Sequence, residues 1–123
     1  MSVDYDIVIG LETHVQLKTS SKLFSSCPSG SGGEANHRTD PVILGMPGVL
    51  PTLNEGVLES AVRVGLALGC DIQMRSTFAR KHYFYPDLPK GYQITQDEFP
   101  ICLDGRVQLK EEEGATIRVK RIH

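Results

Sequence analysis

The stretch NEGVLESAVRVGLALG, residues 54–69, is the clearest helical pattern in the chain. Apolar residues recur there at helical spacing and form one broad stripe: Val57, Leu58, Ala61, Val62, Gly65, Leu66 and Leu68. Asn54 is a good N-cap and Gly69 a good helix stop, so the pattern predicts a helix over about 55–68. Glu59 and Arg63 stand four residues apart and are expected to pair on its outer face.

Downstream of this helix the chain has the pattern of strands and turns. Residues 72–78 alternate between apolar and polar side chains, which is typical of a half-buried strand. Asp104-Gly105 and Glu113-Gly114 are hairpin signals, and they separate predicted strands at about 98–103, 106–111 and 115–122. With the helix, these strands indicate an α+β fold built on a mainly antiparallel sheet.

Upstream of the helix, the strictest alternation covers residues 5–17. The odd positions carry the apolar side chains Tyr5, Ile7, Ile9, Leu11, Val15 and Leu17. This pattern predicts a long strand with one buried face, from which Glu12 and His14 project on the same side. Residues 25–40 are rich in Ser, Gly, Asn and Pro and predict a long ordered loop, and residues 41–52 predict an irregular segment.

Composition narrows the class of protein. The 123 residues are 40% hydrophobic and 23% charged with a net charge of −2, which suits one soluble domain and excludes a strongly basic nucleic-acid binder. The acidic start lacks a basic region and a long apolar run, so we expect no secretory signal or membrane segment and a cytoplasmic protein. Cys27, Cys70 and Cys102 form no CxxC pair, which argues against a disulfide framework or a four-cysteine zinc site.

Glu12 and His14 are the first candidate site. A carboxylate and an imidazole on one strand face can converge on a hard cation such as Mg²⁺, or share a proton. The alternative is a solvated polar strand face. A magnesium ion would also need oxygen ligands from elsewhere in the protein.

The second candidate is the stretch RKHYFYPDLPKGYQ, residues 80–93. Its basic side chains can hold phosphate oxygens and its aromatic rings can stack on bases. Pro86 and Pro89 would stiffen the loop. The alternative is a rigid surface loop whose tyrosines cover the edge of a sheet. The Gly/Ser run at 29–33 fits no phosphate-loop pattern, and Cys27 is better explained as a structural thiol.

Sequence runs along most of the chain resemble consecutive signatures of the GatB family, the B subunits of tRNA-dependent amidotransferases. They stand in the family's order and spacing: IGLETHVQL at 9–17, KLFSSCP at 22–28, GMPGVLP at 45–51, FARK at 78–81 and YFYPDLPKGYQI at 83–94. The resemblance implies that residues 1–123 are the N-terminal part of a GatB/GatE-type catalytic domain, also called the cradle domain.

The resemblance also implies an activity. The B subunit uses ATP and Mg²⁺ to phosphorylate the side-chain carboxylate of Glu-tRNA(Gln) or Asp-tRNA(Asn), and ammonia then displaces the phosphate. The implied partners are the amidase subunit GatA, which releases the ammonia, the small subunit GatC, and the misacylated tRNA. The reaction makes the enzyme a carbon–nitrogen ligase with glutamine as amido donor.

The family's site residues carry over to matching positions of this chain. Glu12 and His14 resemble the first half of the family's Mg²⁺ site and are the expected catalytic pair. The residues that match a motif lining the same nucleotide pocket are Arg80, Lys81, Tyr83, Tyr85, Asp87 and Lys90.

Two departures from the family pattern lead to further expectations. Many members carry extra cysteines in a zinc-type cluster, but Asp40 and Ile43 stand at one such pair of positions, so we expect no zinc. The family continues beyond His123 with an acidic LEEDAGK-like motif that supplies further metal ligands. We therefore expect a truncated chain that is inactive alone and self-associates through an exposed edge. A non-catalytic module that binds the amidase subunit and a fragment of the archaeal paralogue GatE are the alternatives.

Overall fold

The computed structural model describes residues 4–110 and 114–123. Its elements follow in chain order: α1 (Pro41–Leu44), α2 (Glu55–Ala67), β1 (Asp71–Ile72), β2 (Ala79–His82), β3 (Tyr92–Thr95), β4 (Cys102–Gln108) and β5 (Thr116–Ile122). All strand pairs are antiparallel, and α2 is the one long helix of the described residues. The predicted α+β class is therefore confirmed.

The strands form two small sheets. One has three strands in the order β1–β4–β5, and the other is the hairpin β2–β3. Strands β4 and β5 pair along their whole lengths, from Cys102 opposite Ile122 to Gln108 opposite Thr116. Strand β1 contributes two residues, so the larger sheet consists mainly of the β4–β5 hairpin with one helix packed against it.

The helix α2 forms where its local signals predict it. The Asn54 side-chain oxygen accepts a hydrogen bond from the Gly56 N–H at 2.9 Å, and its amide donates to the Ser21 hydroxyl at 2.7 Å. The first bond satisfies a helix N–H that lacks a backbone partner, and the second fixes the helix start to the preceding loop. At the other end Gly69 has a φ of +62°, and Glu59 pairs with Arg63 at 2.6 Å. The predicted helix and its outer ion pair are confirmed.

The core lies between α2 and the larger sheet. Cys102 is completely buried there, beside Cys70 and Ile101. The helix approaches the sheet at Gly65, where a Cβ atom would stand 2.5 Å from the Cys102 sulfur and 2.9 Å from Ile72 Cδ1. Glycine at this position therefore sets the distance between helix and sheet.

Gly65→Ala is expected to destabilise the chain by about 1–2 kcal/mol, because the overpacking cost exceeds the gain in helix propensity. Urea denaturation followed by circular dichroism measures the effect. Gly56→Ala is the control in the same helix, since its nearest contact would be an ordinary 3.4 Å to the Asn54 side chain. Equal stability changes in the two variants would contradict the close approach at Gly65.

The predicted long strand at 5–17 is wrong. Residues 4–19 belong to no strand or helix, and the apolar side chains of Tyr5, Ile7, Ile9 and Leu11 are between 78% and 88% exposed. Alternation is a local property, whereas a strand also needs a neighbour that accepts its hydrogen bonds. Within the described residues no strand takes that place, so residues 5–17 remain unpaired.

Other boundaries differ from the predictions for similar reasons. Asp104-Gly105 is no turn but the middle of β4, which merges the strands predicted at 98–103 and 106–111. Asp104 adopts a φ of +57°, which aspartate tolerates, and the pairing with β5 continues in the same register on both sides. The alternation at 72–78 gives a strand only at 71–72.

Three predictions remain: the two segments upstream of α2 and the turn signal at Glu113-Gly114. The loop at 25–40 is confirmed, while the irregular segment at 41–52 contains the short helix α1. Glu113 lies outside the described residues, although the β4–β5 hairpin across it is confirmed. In the parts of the chain that the structure describes, every helix is too short or too polar to cross a membrane.

Candidate functional site

The β2–β3 hairpin positions most of the predicted nucleotide-binding side chains. Ala79 to His82 pair in register with Thr95 to Tyr92, so both ends of residues 80–93 are fixed. Backbone bonds close the turn between the strands, from Tyr83 N–H to the Gly91 carbonyl at 3.1 Å and from Leu88 N–H to the Tyr85 carbonyl at 2.9 Å. A segment predicted from its composition as a stiff loop is thus a hairpin with an ordered tip.

Cations lie over aromatic rings along this hairpin. The Tyr92 ring lies close to both the Arg80 guanidinium, 4.4 Å from its centroid, and the Lys90 ammonium, at 5.2 Å. Lys81 Nζ lies 5.9 Å from the centroid of the Tyr83 ring. Each such contact is a weak attraction that holds the cation in a preferred place. We call Arg80, Lys81, Tyr83, Tyr85, Lys90 and Tyr92 the cation–aromatic cluster.

The tyrosines of the tip stack on each other. The rings of Tyr83 and Tyr85 have centroids 5.9 Å apart and are inclined by 19°. Tyr85 is more than half exposed, so one of these ring faces is accessible to a ligand. Asp87 is exposed in the same turn, and the described residues give it no hydrogen bond or ion pair.

The chain around α1 packs against this hairpin. Gly45 has a φ of +67°, and a Cβ atom there would stand 2.6 Å from Lys90 Cβ and 3.4 Å from the Tyr92 ring. The close contact half-buries Lys90, and this burial lowers the pKa of its ammonium group. Burial also leaves Lys90 less solvated than a surface lysine, which strengthens its attraction for an anion.

A pocket of about 190 Å³ opens between these two parts of the chain. Its walls are mostly apolar, with one guanidinium and one phenol: Val42, Val49, Pro51, Phe78, Ala79, Arg80, Tyr92 and Ile94. A wider depression of about 560 Å³ lies at the hairpin tip, lined among others by Phe84, Tyr85 and Lys90. Apolar walls with a few polar groups at the rim are typical of small-molecule sites.

Glu12 and His14 lie in the exposed N-terminal segment that belongs to no strand or helix. The structure brings both within electrostatic range of His123, at the end of β5. Burial is the main cause that lowers the pKa of His123; Arg121 and His14 lower it further, while Glu12 and Asp97 raise it. Sequence reasoning did not identify His123 as a neighbour of the pair, because only the folded chain brings residues 12 and 123 together.

Within the described residues, no hydrogen bond or ion pair joins Glu12 or His14 to the cation–aromatic cluster. Nor do these residues contain three or more His, Cys, Asp or Glu side chains close enough to hold a metal ion together. The chemistry of the pair nevertheless suits magnesium in part. Mg²⁺ is commonly held by one or two carboxylates together with phosphates and waters, and the exposed side chain of Glu12 is a carboxylate of this kind.

Two structural roles were missed by the sequence analysis. Tyr92 was included in the 80–93 segment but not among the predicted binding residues, although its ring is the centre of the cluster. Asp40 caps α1 by accepting the Ile43 N–H at 2.8 Å, and it also accepts a hydrogen bond from the Ser25 hydroxyl. These bonds, that of Ser25 first, lower the pKa of Asp40.

Comparison with known proteins identifies the class of protein to which this chain belongs. Residues 7–123 match the family model described as the GatB/GatE catalytic domain, so the chain belongs to this family. The resemblance stated from the sequence runs is confirmed.

The similar relatives carry a more particular name, that of the B subunit of aspartyl/glutamyl-tRNA(Asn/Gln) amidotransferase. The proteins of Anaeromyxobacter sp. strain Fw109-5 and Geotalea uraniireducens are each 58% identical to this chain, over 121 and 120 residues. That of Myxococcus xanthus is 57% identical over 121 residues. The matches cover 97–98% of this chain but 25% of each relative, so the chain spans about a quarter of their length.

Proposed function

We propose that this chain forms part of the kinase pocket of a tRNA-dependent amidotransferase B subunit, which phosphorylates the side-chain carboxylate of Glu-tRNA(Gln) or Asp-tRNA(Asn) with ATP. The observation that carries the proposal is the cation–aromatic cluster beside an apolar pocket on the β2–β3 hairpin. The name of the relatives supports the choice of reaction.

The proposed reaction has a clear physical reason. A carboxylate is a poor acceptor for ammonia, because its negative charge repels a nucleophile and its oxygen is a poor leaving group. Transfer of a phosphoryl group to this carboxylate gives an acyl phosphate, from which ammonia can displace phosphate. Mg²⁺ bound with ATP would neutralise charge on the transferring group.

The cluster has groups suited to both ends of a nucleotide. Arg80, Lys81 and Lys90 can donate charge-assisted hydrogen bonds to phosphate oxygens. Tyr83 and Tyr85 offer stacked ring faces to a base. Arg80 also lines the apolar pocket. A planar ring of the nucleotide would be desolvated in this pocket while the Arg80 guanidinium contacts a phosphate.

For the other half of the site, we propose that Glu12 provides a carboxylate oxygen to Mg²⁺. His14 would lie beside that ion and hydrogen-bond a bound water or a phosphate oxygen, since magnesium prefers oxygen to nitrogen ligands. One carboxylate is a small share of six ligands, so the chain alone is proposed to be inactive in amidation. GatA, GatC and the misacylated tRNA are the proposed partners, in the cytoplasm.

A non-catalytic module that docks on the amidase subunit is a second candidate. The observation in its favour is the large amount of exposed apolar surface, including Ile7, Ile9 and Leu11. The two candidates differ in whether the chain binds nucleotide and magnesium. A GatE fragment remains within the family description, but the names of the relatives favour the B subunit.

Glu12→Gln and His14→Ala are each expected to weaken Mg²⁺ binding about tenfold in calorimetric titrations of the chain with ATP present, because each removes a contact to the ion or its shell. Glu59→Gln is the matched control, since Glu59 is an exposed acid on the outer face of α2, where it pairs with Arg63. Absence of Mg²⁺ and ATP binding by the intact chain would contradict the kinase pocket and favour the docking module.

A further inference from the structure

The carboxylate of Asp40 joins α1 to a distant part of the chain. One of its oxygens accepts a hydrogen bond from the Ile43 N–H at 2.8 Å, which caps α1, and the other accepts one from the Ser25 hydroxyl. Ser25 is 5% exposed, and its oxygen also accepts the Cys27 N–H at 3.0 Å. Asp40 therefore fixes α1 to a buried residue that lies 15 positions earlier in the sequence.

The segment that contains Ser25 is itself attached to the start of α2. The Phe24 carbonyl accepts a hydrogen bond from the Thr52 N–H at 3.1 Å, and the Leu23 carbonyl accepts one from the Asn54 N–H at 2.9 Å. Asn54 is the N-cap of α2. The bond between Asp40 and Ser25 thus connects α1 to the longest helix of the described residues.

The other end of α1 contacts the β2–β3 hairpin. Gly45 follows α1 in the left-handed conformation, and a Cβ atom there would stand 2.6 Å from Lys90 Cβ, so its backbone lies directly against this lysine. Val42, within α1, also lines the apolar pocket. A helix of four residues is not stable by itself, so its position depends on such contacts. A displacement of α1 would move a wall of the pocket and uncover Lys90.

We propose that Asp40 is a positioning residue of this pocket: its carboxylate holds α1 against the hairpin, which keeps Val42 in the pocket wall and Lys90 half-buried. The identity of the ligand rests on the proposed function, whereas the contacts of Asp40 do not. A carboxylate suits this position because both of its oxygens accept hydrogen bonds, one for each of its two donors. Asp40 itself is not among the residues that line the pocket, so it acts through α1.

NMR titration of the Lys90 side chain measures the position of α1 without any ligand. Burial lowers the pKa of Lys90 in the intact chain. In Asp40→Ala this pKa should rise toward the ordinary lysine value, because α1 no longer covers the side chain. Ser25→Ala, which removes the bond to Asp40 but leaves the helix cap, should shift it in the same direction. Glu34→Ala is the matched control, since Glu34 is an exposed acid of the same loop that pairs with His37, and it should leave the Lys90 pKa unchanged.

Calorimetric titration with ATP and Mg²⁺ measures the consequence for binding. Asp40→Ala should weaken ATP binding by about tenfold, which corresponds to the loss of about one hydrogen bond to a charged group. Asp40→Asn should recover most of the affinity, because its oxygen can still cap α1 and its amide can donate to the Ser25 hydroxyl. Circular dichroism checks that the variants fold, and Asp40→Asn and Ser25→Ala keep the test available if Asp40→Ala does not.

A double-mutant cycle tests whether Asp40 acts through α1. Gly45→Ala should also weaken ATP binding, since the new Cβ would displace Lys90, whereas Gly48→Ala should not. Gly48 likewise has a positive φ, of +84°, but a Cβ there would have no neighbour within 4 Å. In the Asp40→Ala chain, where the contact is already loosened, Gly45→Ala should cost less than in the intact chain.

The possible outcomes separate this proposal from the proposed function. An unchanged Lys90 pKa in Asp40→Ala, an ATP affinity equal to that of the intact chain, or additive effects of Asp40→Ala and Gly45→Ala would each overturn the positioning role. An intact chain that binds no ATP would contradict the kinase pocket instead. The Lys90 titration would then still show whether Asp40 positions this lysine.

Discussion

Gly105→Ala is expected to lower the free energy of unfolding by about 2–3 kcal/mol, near the upper end of the usual cost of overpacking. A Cβ atom at this position would stand 2.3 Å from the Cys70 sulfur, 3.1 Å from the Leu68 carbonyl oxygen and 3.3 Å from Val119 Cβ. The contact with Leu68 is the decisive one, because a backbone oxygen cannot rotate away as a side chain can. That oxygen also accepts the Arg106 N–H at 2.9 Å, so its displacement would weaken the bond between helix end and sheet.

Urea denaturation of Gly105→Ala and Gly10→Ala, followed by circular dichroism, provides the measurement and its control. A Cβ atom added at Gly10 would have no neighbouring atom within 4 Å, so this substitution should change stability by no more than about 0.5 kcal/mol. Adding Cys70→Ala to Gly105→Ala removes the sulfur from the crowded site. The double variant should recover part of the loss, and strict additivity of the two changes would contradict direct crowding.

A feature was predicted correctly from the sequence when the residues that determine it lie within one short segment of the chain. The helix α2 was predicted to within a residue because Asn54, Gly69 and the apolar stripe all lie within it or at its ends. Residues 5–17 have an equally regular pattern, but the strand depends on a partner from elsewhere. Asp104-Gly105 failed for the opposite reason: a local turn signal was overridden by continuous pairing of β4 with β5. In both cases the backbone conformation depends on whether a neighbouring strand forms hydrogen bonds with the segment. The local sequence pattern does not specify that neighbour.

The same distinction applies to the candidate site. The cation–aromatic cluster lies within one hairpin, so a single short segment of suitable composition was enough to locate it. Its pocket could not be predicted, because three of the lining residues, Val42, Val49 and Pro51, precede α2 in the sequence, whereas the hairpin follows it. The contact of Gly45 with Lys90 and Tyr92, which half-buries the lysine, is equally remote in sequence.

Arg80→Ala is expected to weaken ATP binding by about 100-fold, because a charge-assisted contact to phosphate and a wall of the pocket disappear together. Arg80→Lys should recover only part of this loss. A lysine keeps the positive charge but has neither the planar face that lies 4.4 Å from the Tyr92 centroid nor the paired donors of a guanidinium. Calorimetric titration with ATP and Mg²⁺ measures both variants.

Arg75→Ala is the control that separates binding from structure. Arg75 also lies over an aromatic ring, 6.0 Å from the Phe99 centroid, but it does not line the pocket that Arg80 lines. If Arg80 acts only by stabilising its hairpin, Arg80→Ala should lower the denaturation midpoint while ATP affinity per folded chain stays near that of Arg75→Ala. If Arg80 contacts the nucleotide, affinity should fall in Arg80→Ala alone, and the loss should shrink as added salt screens the charge. This dependence on salt is expected of a phosphate contact and not of a packing defect, so it connects the geometry of the cluster to the proposed phosphoryl transfer.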